Sequence, residues 1–316
     1  MGGGVEDKPA PLQMGVREWL LLGTLSILWG CSFLFVEIAL RDIPVFTVAL
    51  GRTGIAAAFL LLLLAATRSP LLPLATRWRE FILLGALRAA IPMSLIVWAQ
   101  TRIDSSVAGI LNSTSPLFTM AIAHVLTSDD RLSPQKLIGC AVGMVGVVVM
   151  IGMEFLNEFG HGITGHLAML GATCSYGFAA VYGRRFDTGS STASAAGMLC
   201  GATLLILPVA LLIDRPWTIT PGVQAVGALF GLALLSTAVA FVVWFRLITT
   251  AGASNTSLVT FLIPFTALGF GILLLGEKPS LSSFLGLAII LAGLAVIQLR
   301  SSRPGNRVPT PASGRG

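Results

Sequence analysis

The chain has 316 residues, is 55% hydrophobic and only 11% charged, and has a mean hydropathy of +0.87, which excludes an ordinary soluble globular protein. A net charge of +6 and a pI near 9.7 raise nucleic acid as a partner, but the placement of the charges removes it. The four cysteines all fall inside apolar runs without metal-ligand spacing, so they read as small packing residues.

A polar, Gly-rich tail reaches Gly15, and apolar runs of roughly 20 residues then follow one another, each long enough to cross ~30 Å of hydrocarbon. The expected spans are 19–40, 45–66, 80–100, 105–126, 136–153, 164–183, 193–213, 223–245, 252–275 and 281–299. No A-x-A cleavage site follows the first run, which reads as a retained helix rather than a signal peptide. Nothing alternates with the period of a barrel strand. With the N-terminus inside, the inner side collects Lys8, Arg17, Arg68, Arg77, Arg79, Arg131, Lys136, Arg184, Arg185, Arg246 and the tail arginines. Only Arg41, Arg102, Arg215 and Lys278 fall outside. This positive-inside bias implies an inner (plasma) membrane protein, multi-pass, with both termini cytoplasmic.

A shift of 147 residues lays the chain on itself. Trp29-Gly30 falls on Tyr176-Gly177, Gly54 on Gly201, Asp130-Arg131 on Glu277-Lys278, and Gly146 on Gly293. Each half holds five spans, and an odd number inverts the second half in the membrane. The fold class expected is all-α integral membrane, ten transmembrane helices built as two inverted five-helix repeats. The units are an N-terminal tail (1–18), a first repeat (19–153), a second repeat (164–299) and a disordered basic tail (300–316).

In chain order, the first candidate is Glu37, near the outer end of span one, for coupling to a proton. Arg52 in span two and Arg88 in span three are candidates for a substrate carboxylate or phosphate, since neither should face lipid. Snorkelling is the alternative for Arg88, and an ion pair with Glu37 is the structural alternative for Arg52. Span four reads Ser105-Ser-Val-Ala-Gly-Ile-Leu-Asn-Ser-Thr-Ser-Pro116, and span nine reads Ser254-Asn-Thr-Ser-Leu-Val-Thr-Phe-Leu-Ile-Pro264. Each has a polar first half and then a proline that frees the carbonyl four residues earlier, at Asn112 and Thr260. Freed backbone at membrane depth is tolerated where protein or a water-filled cavity satisfies it. The pattern nominates Asn112, Ser113, Thr114, Asn255, Thr256 and Thr260 for substrate binding and Pro116 and Pro264 as hinges. The alternative is that the hydroxyls only satisfy kinked helices. Trp98 and Trp244, repeat partners at an offset of 146, are candidate cavity walls or interfacial anchors. Gly139, Gly143, Gly146, Gly227, Gly231, Gly286 and Gly293 read as packing notches.

Glu154, Glu158, His161 and His166 cluster in the fifth connection and read as a solvated loop rather than a metal site. There is no H-E-x-x-H or G-x-S-x-G, so no enzyme, cofactor or metal is expected. The partners expected are a small-molecule substrate and the lipid bilayer, with a coupling proton and a homodimer as further candidates.

The pattern resembles the EamA-type branch of the drug/metabolite transporter superfamily. Leu28-Trp29-Gly30-Cys-Ser-Phe33 resembles its L-W-G-s-s-F opening, followed by Ile43-Pro44 and Arg52. Leu262-Ile-Pro264, Leu275-Gly276-Glu277-Lys278, Gly286 and Gly293 resemble its second-half signature. The first half departs, with Ser128-Asp129-Asp130-Arg131 where the family often has Gly-Glu, and Arg88 has no family counterpart. The resemblance implies alternating access around a central cavity and export of a small polar metabolite, an amino acid or related compound. A multidrug exporter of lipophilic compounds is the alternative, and a membrane-embedded lipid-modifying enzyme is a second one.

Overall fold

Backbone inside hydrocarbon has to satisfy its own N–H and C=O groups, and these apolar runs do so as helices. The computed structural model describes residues 15–68, 76–126, 134–158, 163–183, 191–256 and 258–301, with no strand among them. Helix α1 (Val16–Ala39) turns through Pro44, which caps α2 (Val45–Ala66). The third apolar stretch is α3 (Trp78–Gly85), a π-helical turn (Ala86–Ala90) and α4 (Ile91–Ala99). The fourth is split into α5 (Ser105–Asn112) and α6 (Ser115–Leu126). Then come α7 (Pro134–Glu158), α8 (Ile163–Gly183) and α9 (Ser191–Val209), the last running into a π turn at Ala210–Asp214. Helix α10 (Val223–Ala233) passes through a π turn (Leu234–Val239) into α11 (Ala240–Thr256). Helix α12 (Val259–Phe270), with a π turn at Gly271–Leu275, and α13 (Leu281–Ser301) complete the order.

Among the described residues, six stretches are long and apolar enough to cross a membrane: Val16–Ala39, Val45–Ala66, Trp78–Ala99, Ser105–Leu126, Thr192–Asp214 and Val223–Trp244. Shorter apolar segments lie at Leu137–Val149, Leu262–Leu275 and Leu281–Val296. Two boundaries differ from the sequence expectation. The turn expected between 245 and 252 is helical, because α11 runs on to Thr256; Ser254, Asn255 and Thr256 therefore end α11 instead of opening a new span. Pro116 does not kink a continuous helix. The helix already breaks at Ser113-Thr114, and Pro116 is the second residue of α6, where its missing N–H costs no helical bond. Pro264 does lie inside a helix, α12.

Helix α1 packs on α12 and α10, α2 on α9 and α10, α3 on α9, α4 and α6 on α8, α5 on α12, and α7 on α13. Glycines set the closest approaches, as close packing in lipid requires. A Cβ on Gly146 would lie 2.8 Å from the Gly286 carbonyl oxygen, and one on Gly293 would lie 2.6 Å from that of Gly139, so α7 and α13 meet backbone to backbone. Gly30 admits Thr266 and Ala267 of α12 against α1, and Gly177 brings the backbone of Phe118 and Thr119 in α6 against α8. Gly227 is the exception among the expected notches, with nothing within 4 Å of its Cβ position.

One end of the bundle is tied by carboxylates that reach helix N-termini far away in sequence. Glu277 accepts from Ser105 N (2.9 Å), Ser105 Oγ (2.6 Å) and Ser106 N (2.9 Å), and also from the Ser106 hydroxyl, so it caps α5. Asp214 accepts from Thr47 N (2.7 Å) and Thr47 Oγ1 (3.0 Å) at the start of α2. Asp42 accepts from Gly222 N (2.9 Å), the cap of α10. Orphan N–H groups and the positive end of the helix dipole make these sites favourable for an anion.

A cation and aromatic cluster at the bundle centre as the candidate functional site

Arg88 sits halfway along the third apolar stretch, inside the π turn that joins α3 to α4. Its guanidinium carbon lies 4.9 Å from the ring centre of Tyr176 in α8 and 5.4 Å from that of Trp244 in α11. Trp244 stacks edge-on against Phe241 (6.4 Å), which in turn meets Trp29 of α1 (6.5 Å). Arg52 of α2 is 5% exposed, and its Nε donates to Thr237 Oγ1 at 3.0 Å. Both arginines lie within electrostatic range of Tyr176. Thr237 belongs to the π turn at Leu234–Val239, and its hydroxyl donates to the Leu232 carbonyl five residues back (2.9 Å). Beside it, the Ser236 hydroxyl is buried without a partner among the described residues. Of the four π turns among the described residues, those of Arg88 and Thr237 overlap under the 147-residue shift, and such turns concentrate at functional sites.

The electrostatics of this cluster are one-sided. An arginine near a membrane helix centre costs ~2.5–3.5 kcal/mol on insertion scales, which acidic partners normally offset. The ion pair among the described residues is Arg77–Glu80, at the start of α3, about two to three helical turns before Arg88. Arg88 is neither snorkelling nor paired with acid; it is held by aromatic faces. The pairing of Arg52 with Glu37 does not form, since Arg52 turns to Thr237. Glu37, half-buried near the end of α1, is faced instead by Glu277, Asp104 and Arg41.

The other nominated residues separate into groups. Asn112 ends α5 at the helix break, half-buried, with no side-chain hydrogen bond among the described residues. Ser113 and Thr114 are buried, and their hydroxyls donate to the carbonyls of Ile110 (2.6 Å) and Leu111 (2.7 Å), so they support the break itself. Thr114 also meets Thr173 Oγ1 of α8 at 3.3 Å. Thr256 is buried at the end of α11, Thr260 is half-buried in α12, and the side chain of Asn255 lies outside the described residues. Trp98 and Trp244 serve different cations: Arg102 lies 4.3 Å over Trp98, while Arg88 lies over Trp244. His161 lies outside the described residues, as do the side chains of Glu154 and Glu158. His166 is 1% exposed in α8, not solvated as expected, because α8 packs it into the bundle. No group of metal-binding residues assembles among the described residues.

Sequence reasoning missed Tyr176, Thr237, Trp29 and Phe241 as site residues. A signal was present for two of them, since Trp29-Gly30 and Tyr176-Gly177 are the clearest match of the 147-residue shift.

A model of the EamA-like transporter family matches residues 17–152 and again 163–299. The chain is 27% identical over 287 residues to a protein of Bacillus subtilis (strain 168) named uncharacterized transporter YoaV, covering 90% of this chain and 98% of that one. It is 24% identical over 282 residues to the uncharacterized inner membrane transporter YedA of Escherichia coli (strain K12), covering 88% and 89%. Protein PecM of Dickeya dadantii (strain 3937) is 26% identical over 228 residues, covering 72% and 75%. One solved crystal structure of a protein superposes with a TM-score of 0.66 at 21% identity, covering 91% of this chain and 99% of that one, which shows a shared fold.

Proposed function

Because the chain belongs to the EamA-like transporter family, we propose that it is a secondary transporter that carries a small polar metabolite out of the cell by alternating access. The proposed frame is ten transmembrane helices in two inverted repeats, 19–153 and 164–299, with cytoplasmic termini. The observation that carries this reading is the packing pattern, which is unchanged when the halves are exchanged. Taken by apolar stretch, the contact of α1 with α12 becomes that of α8 with α6, the contact of α1 with the α10–α11 stretch becomes that of α8 with the α3–α4 stretch, and α2–α10 becomes α9–α3. The contacts α2–α9, α5–α12 and α7–α13 map onto themselves. Hydroxyl contacts join the same pairs of stretches: Ser26 of α1 meets Thr266 of α12, and its counterpart Thr173 of α8 meets Thr114 beside α6, although Thr266 itself falls on Thr119. A pair of equivalent units with a site at their junction is the architecture that lets one unit rock against the other.

The proposed substrate region lies between the halves, with Asn112 at the broken fourth stretch and Arg52, Arg88 and Trp244 at the cluster. Thr256, Thr260 and Asn255 complete the second-half side, and the break at Ser113-Thr114 with Pro116, and Pro264 in α12, supply bending points. Two guanidinium groups at the centre disfavour lipophilic cations by charge repulsion, which argues against a multidrug exporter of that kind. Glu37 is the proposed coupling group, with Glu277, Asp104 and Arg41 facing it. Glu37→Gln should flatten the pH dependence of transport; an unchanged profile removes the proton from the mechanism. The direct test of transport is counterflow in proteoliposomes with a panel of labelled metabolites. Trans-stimulated uptake of at least one of them is the expected result, and none across amino acids, organic acids and amines would overturn the reading.

A further inference from the structure

Resting on that transport reading, we infer that the substrate is a small organic anion with a planar apolar body. Its acid group would meet Arg88 and Arg52, and its body would lie against the rings of Trp29, Tyr176, Phe241 and Trp244. Three observations carry this, and each concerns what the cluster lacks or offers.

The first is the distribution of acid. Every carboxylate whose side chain is described lies at or near a helix end: Glu18, Glu37, Asp42, Glu80, Asp104, Asp214 and Glu277. Five of them accept identified bonds there: Glu18 from Gly15 N, Asp42 from Gly222, Glu80 from Arg77, Asp214 from Thr47, and Glu277 from Ser105 and Ser106. None stands near the middle, where both arginines are. Among the described residues, positive charge is brought to the centre and negative charge is kept away from it.

The second is the way Arg88 is held. Ring faces balance its charge but take up none of its five N–H donors in a conventional hydrogen bond, and no hydrogen bond to a described residue uses them. Arg52 commits one donor, Nε, to Thr237. A guanidinium fixed by rings, with its donors unused, is prepared for the bidentate geometry of a carboxylate.

The third is the surrounding surface. Trp29, Tyr176 and Trp244 are half-buried although they pack against the core, and Arg88 is half-buried between two of these rings, so each keeps an accessible face. Flat rings beside two cations match an anion that is flat and apolar beyond its acid group. The contributions also divide between the halves: Trp29, Arg52 and Arg88 precede residue 153, while Tyr176, Thr237, Phe241 and Trp244 follow 163. An anion seated here touches both units that would move.

Four phenyl probes of one size separate charge from shape: phenylacetate, phenylacetamide, phenethylammonium and the zwitterion phenylalanine. Binding is read from the apparent melting temperature of the full-length protein in detergent, titrated with each probe. The expected order is phenylacetate at least tenfold tighter than the amide or the zwitterion, with no shift from the ammonium. Arg88→Gln should remove the preference of acid over amide, Arg88→Lys should keep part of it, and Trp244→Leu should weaken acid and amide together. A well-folded Arg88→Gln or Arg52→Gln protein that binds phenylacetate within twofold of wild type would overturn the inference. So would equal binding of the ammonium or amide, or no shift from any probe. Counterflow of the same four probes separates the two readings: binding of the acid without flux supports this inference and fails the transporter, whereas flux of the ammonium alone does the reverse.

Discussion

The two ends of the charge inventory are handled in opposite ways. At the end of the bundle marked by Glu277, three carboxylates are matched to helix N-termini across the two halves, and each donor distance is that of a good charge-assisted bond. At the centre, Arg52 and Arg88 are matched to one hydroxyl and two rings. A charge that serves only the fold is normally satisfied in full, because an unpaired one is expensive away from water. The satisfied end therefore reads as structure and the unsatisfied centre as function.

The largest stability effect should come from the satisfied end. Glu277→Ala removes the acceptor of two backbone N–H groups and two hydroxyls, and it should cost about 3 kcal/mol, seen as a marked fall in the melting temperature in detergent. Glu277→Gln should fall between the variant and the wild type. Next come Gly30→Val and Gly177→Val, which put side chains where α12 and α6 approach; each should cost about 2 kcal/mol by overpacking. Similar losses at both sites would support equivalent halves, while a loss at one alone would break the equivalence. Asp214→Asn keeps the shape but loses the charge facing Thr47, and about 1 kcal/mol is expected. The smallest effect is expected at the centre. Arg88→Gln gives up ring contacts worth ~0.5–2 kcal/mol but also relieves a burial cost of ~2.5 kcal/mol or more, so the ligand-free melting temperature should stay level or rise. A fall as large as that of Glu277→Ala would make Arg88 a structural residue and collapse the contrast.

Much of this was legible from the sequence, and the reasons divide by physics. Arg52 and Arg88 stand out because charge inside an apolar run is costly wherever it points. The glycines of α7 and α13 stand out because close packing in lipid needs small residues at helical spacing. What the sequence concealed depends on direction. A π turn inserts an extra residue into the helical period, so the face presented by Arg88 or Thr237 does not follow from a period of 3.6. Ser113 and Thr114 look the same on paper whether they bind a ligand or the carbonyls behind them, and the local bond is what forms. The partner of Glu277 is about 170 residues away, beyond any local pattern.

The central claim is that the region between the halves opens to one side at a time, and a single cysteine at Asn112 tests it most directly. With Cys31, Cys140, Cys174 and Cys200 replaced and Asn112→Cys introduced, a membrane-impermeant maleimide is applied from either side of oriented vesicles. The account predicts labelling from one side in the ligand-free protein and a change in its rate, or in its side, when a transported substrate is added. Equal labelling from both sides in every condition would contradict it.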